Sequence, residues 1–233
     1  MNAGLYQGVA TMRASQRRLE AITSNLANVS STAFKRSVSM HHGVKLGQSG
    51  RTTLTTATAV DWTQGPLERT RVATDMALMG DGFFAVEGSA GEGEVYTRDG
   101  HFSINERGVL VTQEGSPVAW KGSRGILDSV GDPIRVDLSG QVFQGQRSIG
   151  RLRIVDFDDR NQLRVGSTGD FVVPAKVQPR ASTAEVHQGA LEGSNVSAVE
   201  ELVALIQTQR SFEAGSNVMS MISQSYERLN RSS

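Results

Sequence analysis

Two rows of large apolar residues, one near each end of the chain, constrain its fold more than any other sequence feature. In the N-terminal row, apolar residues recur every seven positions and also fill the second position of the later heptads: Leu5, Met12, Leu19 and Leu26, with Ile22 and Val29. The C-terminal row repeats this spacing with Leu205, Phe212, Met219 and Tyr226, joined by Ile222 and Leu229. A seven-residue apolar repeat keeps one seam of a helix against another helix while both supercoil. The rows therefore predict two terminal helices that pack through an apolar seam.

The segments that carry the two rows have clear helical signals. A helix is predicted over residues 2–28, because this segment has no proline and its apolar positions keep the helical period. A second helix is predicted near the C-terminus, where Ser197 and Glu200 fit a capping box. An apolar stripe follows the box: Val199, Leu202, Val203 and Ile206. Because such a helix is not stable alone in water, the stripe needs a packing partner.

The middle of the chain has the pattern of β structure. Short apolar runs such as residues 83–86 alternate with turn residues. Asp99 and Gly100 stand between two β-forming runs and predict a type I′ hairpin, since both turn positions need a positive φ. The four residues 105–108 predict the next turn. Strands this short and this closely spaced indicate an antiparallel sandwich or a distorted barrel.

The predicted fold class is α+β, with long N- and C-terminal helices packing as a coiled-coil-like arm and a central antiparallel β sandwich or distorted barrel. The predicted segments are an N-terminal helix at 1–30, an extended connector at 31–74, a β domain at 75–188 and a C-terminal helix at 189–233. The two helices would form one assembly domain. The apolar rows alone leave open an ordinary helix layer packed on the β body of the same chain.

Composition excludes several classes of function. The 24 Lys and Arg residues balance the 24 Asp and Glu residues, so no net field favours nucleic acid or an anionic membrane. The chain has no cysteine, which removes disulfides, thiolate catalysis and Cys-ligated metals. No apolar run approaches the ~20 residues that span a bilayer, and arginines stand where a cleaved signal peptide has its apolar stretch. We expect no catalytic residue, cofactor, metal, membrane insertion or cleaved signal.

Three motifs lie in chain order where the predicted helices meet the β body and within that body. They are residues 24–36 (SNLANVSSTAFKR), residues 82–84 with 96–102 (GFF and YTRDGHF), and residues 191–196 with 201–203 and 209–213 (LEGSNV, ELV and QRSFE). Together they closely resemble the signatures of bacterial flagellar rod and hook proteins. One departure is Ala33, which stands where that family usually has glycine. The turn after the first helix is therefore expected to be less sharp, or to place its positive φ at another residue.

The resemblance implies a structural subunit of the flagellar basal-body rod, with other rod subunits as partners. Members of this family pass through the flagellar type III export apparatus without a cleaved signal, and their terminal helices pack into an inner tube in the periplasm. Such a tube transmits torque. The modest length and the LEGSNV motif favour the proximal-rod type, with the distal-rod type or another hook–basal-body subunit as the alternative.

The expected subunit interface consists of the two apolar rows together with four further residues: Asn25, Asn28, Leu202 and Ile206. The amides of Asn25 and Asn28 are competent to fix register or to end a helix. A remote alternative is a β-sandwich module that binds or hydrolyses cell wall. For that function, few aromatic or histidine side chains are available: Trp62, Trp120, His101 and His187.

Overall fold

The structure is a computed structural model that describes residues 3–46, 51–88, 93–122, 125–128, 130–166, 169–174 and 176–231. Within these ranges, side chains are described for residues 8–40, for residues 57–222 and for Gln224. The predicted interface residues Leu5, Tyr226 and Leu229 therefore lie outside the described side chains.

Helices stand near both ends, and strands lie between them. Helix α1 spans Ala3–Ala27 and helix α2 spans Ala198–Arg231. The Ser197 half of the predicted capping box is confirmed at the start of α2, where the Ser197 hydroxyl accepts from the backbone N–H of Glu200 at 3.5 Å. A short 3-10 helix occupies Arg160–Gln162. Among the described residues, neither α-helix has an apolar stretch that would let it cross a membrane.

The strands pair only in antiparallel fashion among the described residues. Their bounds are β1 Ser37–Leu46, β2 Arg51–Val60, β3 Leu67–Arg69, β4 Met76–Met79, β5 Phe83–Glu87, β6 Glu94–Thr97, β7 Ser103–Ile104, β8 Leu110–Val111, β9 Ile134–Val136, β10 Gln141–Gln144, β11 Arg147–Arg151, β12 Ile154–Asp156, β13 Arg164–Val165, β14 Phe171–Val172, β15 Arg180–Ala181, β16 Glu185–Gln188 and β17 Ala190–Glu192.

The chain divides into two compact units. The first consists of residues 1–29, 35–61 and 196–233, and it holds both α-helices and the β1–β2 hairpin. In this hairpin Ser37 lies opposite Val60 and the pairing continues to Leu46 opposite Arg51. The second unit consists of residues 30–34 and 62–195. The four-segment division expected from the sequence stays a prediction.

The second unit contains several small sheets. The largest has the strand order β13-β14-β6-β5-β12-β15, and a three-stranded sheet has the order β11-β10-β9. Three two-stranded sheets pair β16 with β4, β17 with β3, and β7 with β8. The strands stay short because glycines in the left-handed region interrupt them, as Gly140 (φ +76°) and Gly145 (φ +58°) do on either side of β10.

The predicted α+β fold class is wrong. The described residues form two α-helices and many antiparallel strands in several small sheets, so the fold is mostly β rather than one sandwich or barrel flanked by a helical arm. Within the described ranges, no long coiled-coil arm is formed. A coiled coil needs large apolar residues at successive seam positions, whereas glycine and polar residues occupy much of the contact between α1 and α2, as described below.

Strand β5 explains the apolar run that the sequence shows at residues 83–86. Successive side chains of a strand point to opposite faces. Phe84 and Val86 belong to one buried cluster, and Phe83 and Ala85 belong to a second. The strand is apolar at these four positions because both of its faces are covered.

The hairpin predicted at Asp99 and Gly100 is wrong. Strand β6, which precedes this pair, is bonded to β5 and β14, whereas β7, which follows it, is bonded to β8. A Cβ atom at Gly100 would collide with the carbonyl oxygen of Met76, and the Met76 N–H donates to the Gly100 oxygen at 3.0 Å. Glycine is needed here for a close approach of two backbones rather than for a hairpin turn. The turn predicted at residues 105–108 is confirmed, with Gly108 at φ +70°.

The turn at Ala33 also differs from expectation. Ala33 itself adopts the left-handed conformation, with φ +56°, and its side chain is buried. Its N–H donates to the carbonyl oxygen of Glu192 at 2.7 Å. The turn therefore keeps the positive φ that glycine usually supplies, at the steric cost of an L-residue in this region.

Candidate subunit interface

Helices α1 and α2 lie side by side and run antiparallel. A Cβ atom at Gly8 would lie 2.5 Å from the Sδ atom of Met219, and one at Gly215 would lie 3.6 Å from Cγ of Met12. Gly8 meets Met219, whereas Met12, later in α1, meets Gly215, which is earlier in α2. The two helices therefore run in opposite directions. Each contact places a methionine over a bare glycine, so the two helices approach closely at both points.

The face of α2 that meets α1 combines small, polar and apolar residues. Glu201 and Thr208, seven residues apart, are 0% and 3% exposed, and Gly215 follows after another seven. The apolar row of the sequence shares this face and is half-buried there: Leu205, Phe212, Met219 and Ile222. We call this side of α2 the inner face.

A second apolar strip covers the opposite side of α2. Val199 is 73% exposed, Leu202 46%, Val203 50% and Ile206 52%. At about 100° per residue, these four positions lie roughly 110° to 170° around the helix from the direction shared by Glu201 and Thr208. We call them the outer ridge. The predicted interface residues Leu202 and Ile206 thus belong to the outer ridge, whereas the rest of the described C-terminal row belongs to the inner face.

On α1 the predicted row is mostly turned inward. Ile22 is buried at 5% exposure, and four other members of the N-terminal row are half-buried: Met12, Leu19, Leu26 and Val29. Apart from Val29, which follows the end of α1, the structure thus brings the described members of the two rows into one helix pair within a single chain. That pair leaves the outer ridge uncovered.

A groove of about 420 Å³ runs between the two helices. Small or short polar side chains supply most of its lining, which is Ala10, Thr11, Ala14, Ser15, Arg18, Gln207, Thr208 and Ser211. We call it the small-residue groove. This groove is not among the features predicted from the sequence, although the spacing of Ala10 and Ala14 by one helical turn indicates a shallow face on α1.

The two asparagines of the first motif have separate roles. Asn25 is 1% exposed; its Oδ1 accepts from the Ser37 N–H at 2.8 Å and its Nδ2 donates to the Ser37 oxygen at 2.9 Å. Asn28 donates from Nδ2 to the Ser24 carbonyl oxygen at 2.9 Å, at the end of α1. Asn25 therefore fastens the start of β1 to α1, and Asn28 caps the last turn of the helix.

An ion pair with a buried carboxylate joins the segment after α1 to the first turn of α2. Arg36 Nε lies 2.5 Å from Glu201 Oε1, and the Glu201 side chain is 1% exposed. This pair is not among the residues predicted from the sequence. A signal was nevertheless present, because Arg36 and Glu201 carry opposite charges within the first and third motifs.

The histidine and tryptophan side chains considered for a cell-wall module do not converge on a metal site. Within the described ranges, no group of three His, Asp or Glu side chains is placed to hold a metal ion. The Trp62 ring packs edge-on against Phe83 at 5.7 Å and against Phe171 at 4.9 Å between centroids. Trp62 is thus part of the aromatic cluster of the second unit.

Three family models match the chain in order. The flagella basal body rod protein model matches residues 5–35, the flagellar hook protein FlgE/F/G D1 domain model matches residues 77–173, and the flagellar basal body rod FlgEFG C-terminal model matches residues 187–232. These matches overlap all three sequence motifs. They define a protein of the flagellar rod and hook class.

Whole-chain relatives narrow this class. The flagellar basal-body rod protein FlgF of Caulobacter vibrioides is 35% identical over 229 residues, covering 94% of this chain and 93% of the relative. FlgF of Escherichia coli is 30% identical over 99% of this chain and 98% of its own length. FlgG of Buchnera aphidicola from Acyrthosiphon pisum is 31% identical over 99% and 100%. The chain belongs to the flagellar basal-body rod protein family, which confirms the resemblance seen in the motifs.

Proposed function

We propose that this chain is a structural subunit of the flagellar basal-body rod, of the proximal FlgF type, and that it self-assembles through α1 and α2 into a helical tube. The main support for this proposal is the exposure of the outer ridge. A helix whose inner face is already packed and whose opposite face exposes four apolar side chains has a surface to bury against another chain. Membership of the rod family supplies the class of assembly.

The physical mechanism is heterologous association. When one surface of a subunit binds a different surface of the next copy, and the contact does not close into a ring, a helical filament results. Torque applied at one end is then carried by many buried helix contacts in parallel. No bond has to be made or broken in this function, and we propose that the chain is not an enzyme.

We assign the predicted interface residues to two layers. The inner residues hold the helix pair together and so keep α2 in a fixed orientation, while Asn25 and Asn28 secure the end of the pair near β1. The inner residues are Met12, Leu19, Ile22, Leu26, Val29, Leu205, Phe212, Met219 and Ile222. Leu202 and Ile206 on the outer ridge contact neighbouring subunits. Leu5, Tyr226 and Leu229 extend the rows toward the helix ends.

The proposed location is the rod of the basal body in the periplasm, with other rod subunits as direct partners. The proposed route is export through the flagellar type III apparatus without a cleaved signal. A chain that travels unfolded gains its helix pair only after export, when both terminal segments are available.

The test is made in the bacterium that encodes this chain. Deleting its gene is expected to abolish swimming, and re-expressing the full chain is expected to restore it and to place the chain in purified basal bodies. Versions that lack residues 1–30 or 190–233 are expected to fail in both assays. Normal swimming without the chain, or its absence from basal bodies of a swimming strain, would overturn the proposal.

A further inference from the structure

We infer that the outer ridge of one copy docks into the small-residue groove of a second copy of this chain. This inference rests on the proposed function and names the surfaces that would perform it. The outer ridge comprises Val199, Leu202, Val203 and Ile206, and the small-residue groove lies between α1 and α2 of the same unit.

The shapes of the two surfaces are complementary. The ridge projects branched apolar side chains at helical spacing from about two turns of α2. Six of the eight side chains that line the groove are alanine, serine or threonine, so between Arg18 and Gln207 they leave room for larger residues. Rows of side chains on one helix pack into grooves between the rows of others, which is the usual way helices meet.

The charges around the two surfaces are also complementary. Helix α1 carries three arginines and one glutamate, and Arg18 lines the groove itself. The exposed charged side chains of α2 between residues 198 and 213 are two glutamates and one arginine, since Glu201 is buried against Arg36. Glu200 lies beside the ridge and is exposed. Docking a ridge into a neighbouring groove therefore brings the exposed carboxylate of Glu200 toward the guanidinium of Arg18, which favours this orientation over like-to-like contacts.

The positions of ridge and groove on the helix pair decide what kind of assembly results. The ridge lies on the side of α2 turned away from α1, whereas the groove opens between the two helices. One copy cannot fill its own groove with its own ridge. Each copy offers both surfaces, so every docking event leaves a free ridge at one end and a free groove at the other. A second copy as occupant thus produces a heterologous, growing contact.

Disulfide capture tests this contact directly, because the natural chain has no cysteine. One full-length variant carries Val203→Cys on the ridge, and a second carries Ala14→Cys in the groove. The control variant carries Gln16→Cys instead of Ala14→Cys. Gln16 lies on an exposed side of the same helix. The variants are mixed in pairs at high concentration and oxidised, and cross-linked dimer is followed on non-reducing gels.

The 203–14 pair is expected to cross-link about tenfold faster than the 203–16 pair, because docking holds the two sulfurs within disulfide reach. Placing Val203→Cys and Ala14→Cys in one chain is expected to give a ladder beyond the dimer. Exchanging the charges with Arg18→Glu slows the 203–14 cross-link, and adding Glu200→Arg to the partner restores it.

Three outcomes overturn the inference. Equal cross-linking rates for the 203–14 and 203–16 pairs would show that the copies meet only by random collision. A dimer that never extends into a ladder means a closed contact. Absence of any cross-link at high concentration excludes a second copy as the occupant. In each of these cases the proposed function is tested separately, by whether the unaltered chain is found in purified basal bodies.

Discussion

The side chain of Asn25 bonds to the backbone of Ser37 through both of its polar atoms, accepting from the N–H at 2.8 Å and donating to the carbonyl oxygen at 2.9 Å. The amide of a helix residue thus takes the place that the backbone of a third strand would occupy beside β1. A two-stranded hairpin is marginal by itself in water, so the attachment to α1 helps to hold β1–β2 in place.

Replacing Asn25 by alanine is expected to lower the free energy of unfolding by about 1–3 kcal/mol, because two backbone groups of Ser37 lose their partner. Asn28→Ala is the matched control; it weakens the half-buried cap at the end of α1 and costs about 1 kcal/mol. Urea unfolding followed by circular dichroism measures both. A loss for Asn25→Ala no larger than that for Asn28→Ala would contradict this role.

The ion pair between Arg36 and Glu201 predicts an asymmetric response to mutation. Arg36→Ala leaves the carboxylate of Glu201, 1% exposed, without its charged partner and is expected to cost about 3–5 kcal/mol. Glu201→Ala leaves a guanidinium that is 31% exposed and can be hydrated, so its cost is expected to be smaller. The same urea titration ranks the two. Equal costs, or the reverse order, would show that the buried carboxylate is not the vulnerable partner.

An ionic cluster in the second unit has the geometry of an acid-sensitive brace. Arg160 and Arg180 both donate to the buried carboxylate of Asp156, at 2.9 Å and 2.7 Å. Burial opposes the charge on Asp156, but the bonds from the Phe157 backbone and the two guanidinium groups outweigh it and lower its pKa below the ordinary value of 3.8. The hydrogen bond from Arg160 likewise lowers the pKa of Asp81.

A carboxyl group with a lowered pKa in the folded state stabilises the fold above its unfolded pKa, and this contribution is lost as the pH falls through the folded value. The second unit is therefore expected to lose stability progressively as the pH drops below about 4. Asp156→Asn is expected to reduce this pH dependence and to lower stability at neutral pH. Asp158→Asn, at an exposed position, is expected to preserve it. Thermal unfolding at a series of pH values tests this, and identical acid profiles for all three proteins would rule out the brace.

Ala33 allows a test of backbone strain. Glycine at this position relieves the left-handed conformation but adds unfolded-chain entropy, so Ala33→Gly is expected to change stability by less than about 1 kcal/mol. The same change at Ala190, an equally buried residue in strand β17, is expected to destabilise by about 1 kcal/mol. Ala33→Val is expected to be the most damaging, since β-branched residues rarely adopt positive φ. Similar losses for the two glycine variants would indicate that Ala33 is not strained.

Local patterns were sufficient to predict the helices and several strands. The absence of proline, the helical period and the Ser197 cap are sufficient to place α1 and α2, because these signals act within a few residues. The run at residues 83–86 likewise predicts β5. Gly100 shows where local information fails: its need for glycine comes from the backbone of Met76, and an Asp-Gly pair has the same sequence whether it makes a turn or a tertiary contact.

The helix faces could not be assigned from the apolar pattern alone. The inner face of α2 includes Glu201, a residue that a pattern of apolar residues places on the solvent side. Glu201 is tolerated there because Arg36, 165 positions away in sequence, supplies the opposite charge. Leu202 and Ile206 are then turned outward by the helical period. The interface residues predicted on α2 thus fall on two opposite faces.

The assignment of separate roles to these two faces is tested by the amount of chain that enters basal bodies. The double variant Leu202→Ser and Ile206→Ser removes apolar surface only from the outer ridge, where both side chains are about half exposed. The purified variant is expected to unfold at the same urea concentration as the natural chain. In its own bacterium it is expected to be missing from purified basal bodies, by quantitative immunoblot, and to leave the cells unable to swim. Normal incorporation and swimming would contradict assembly through the outer ridge.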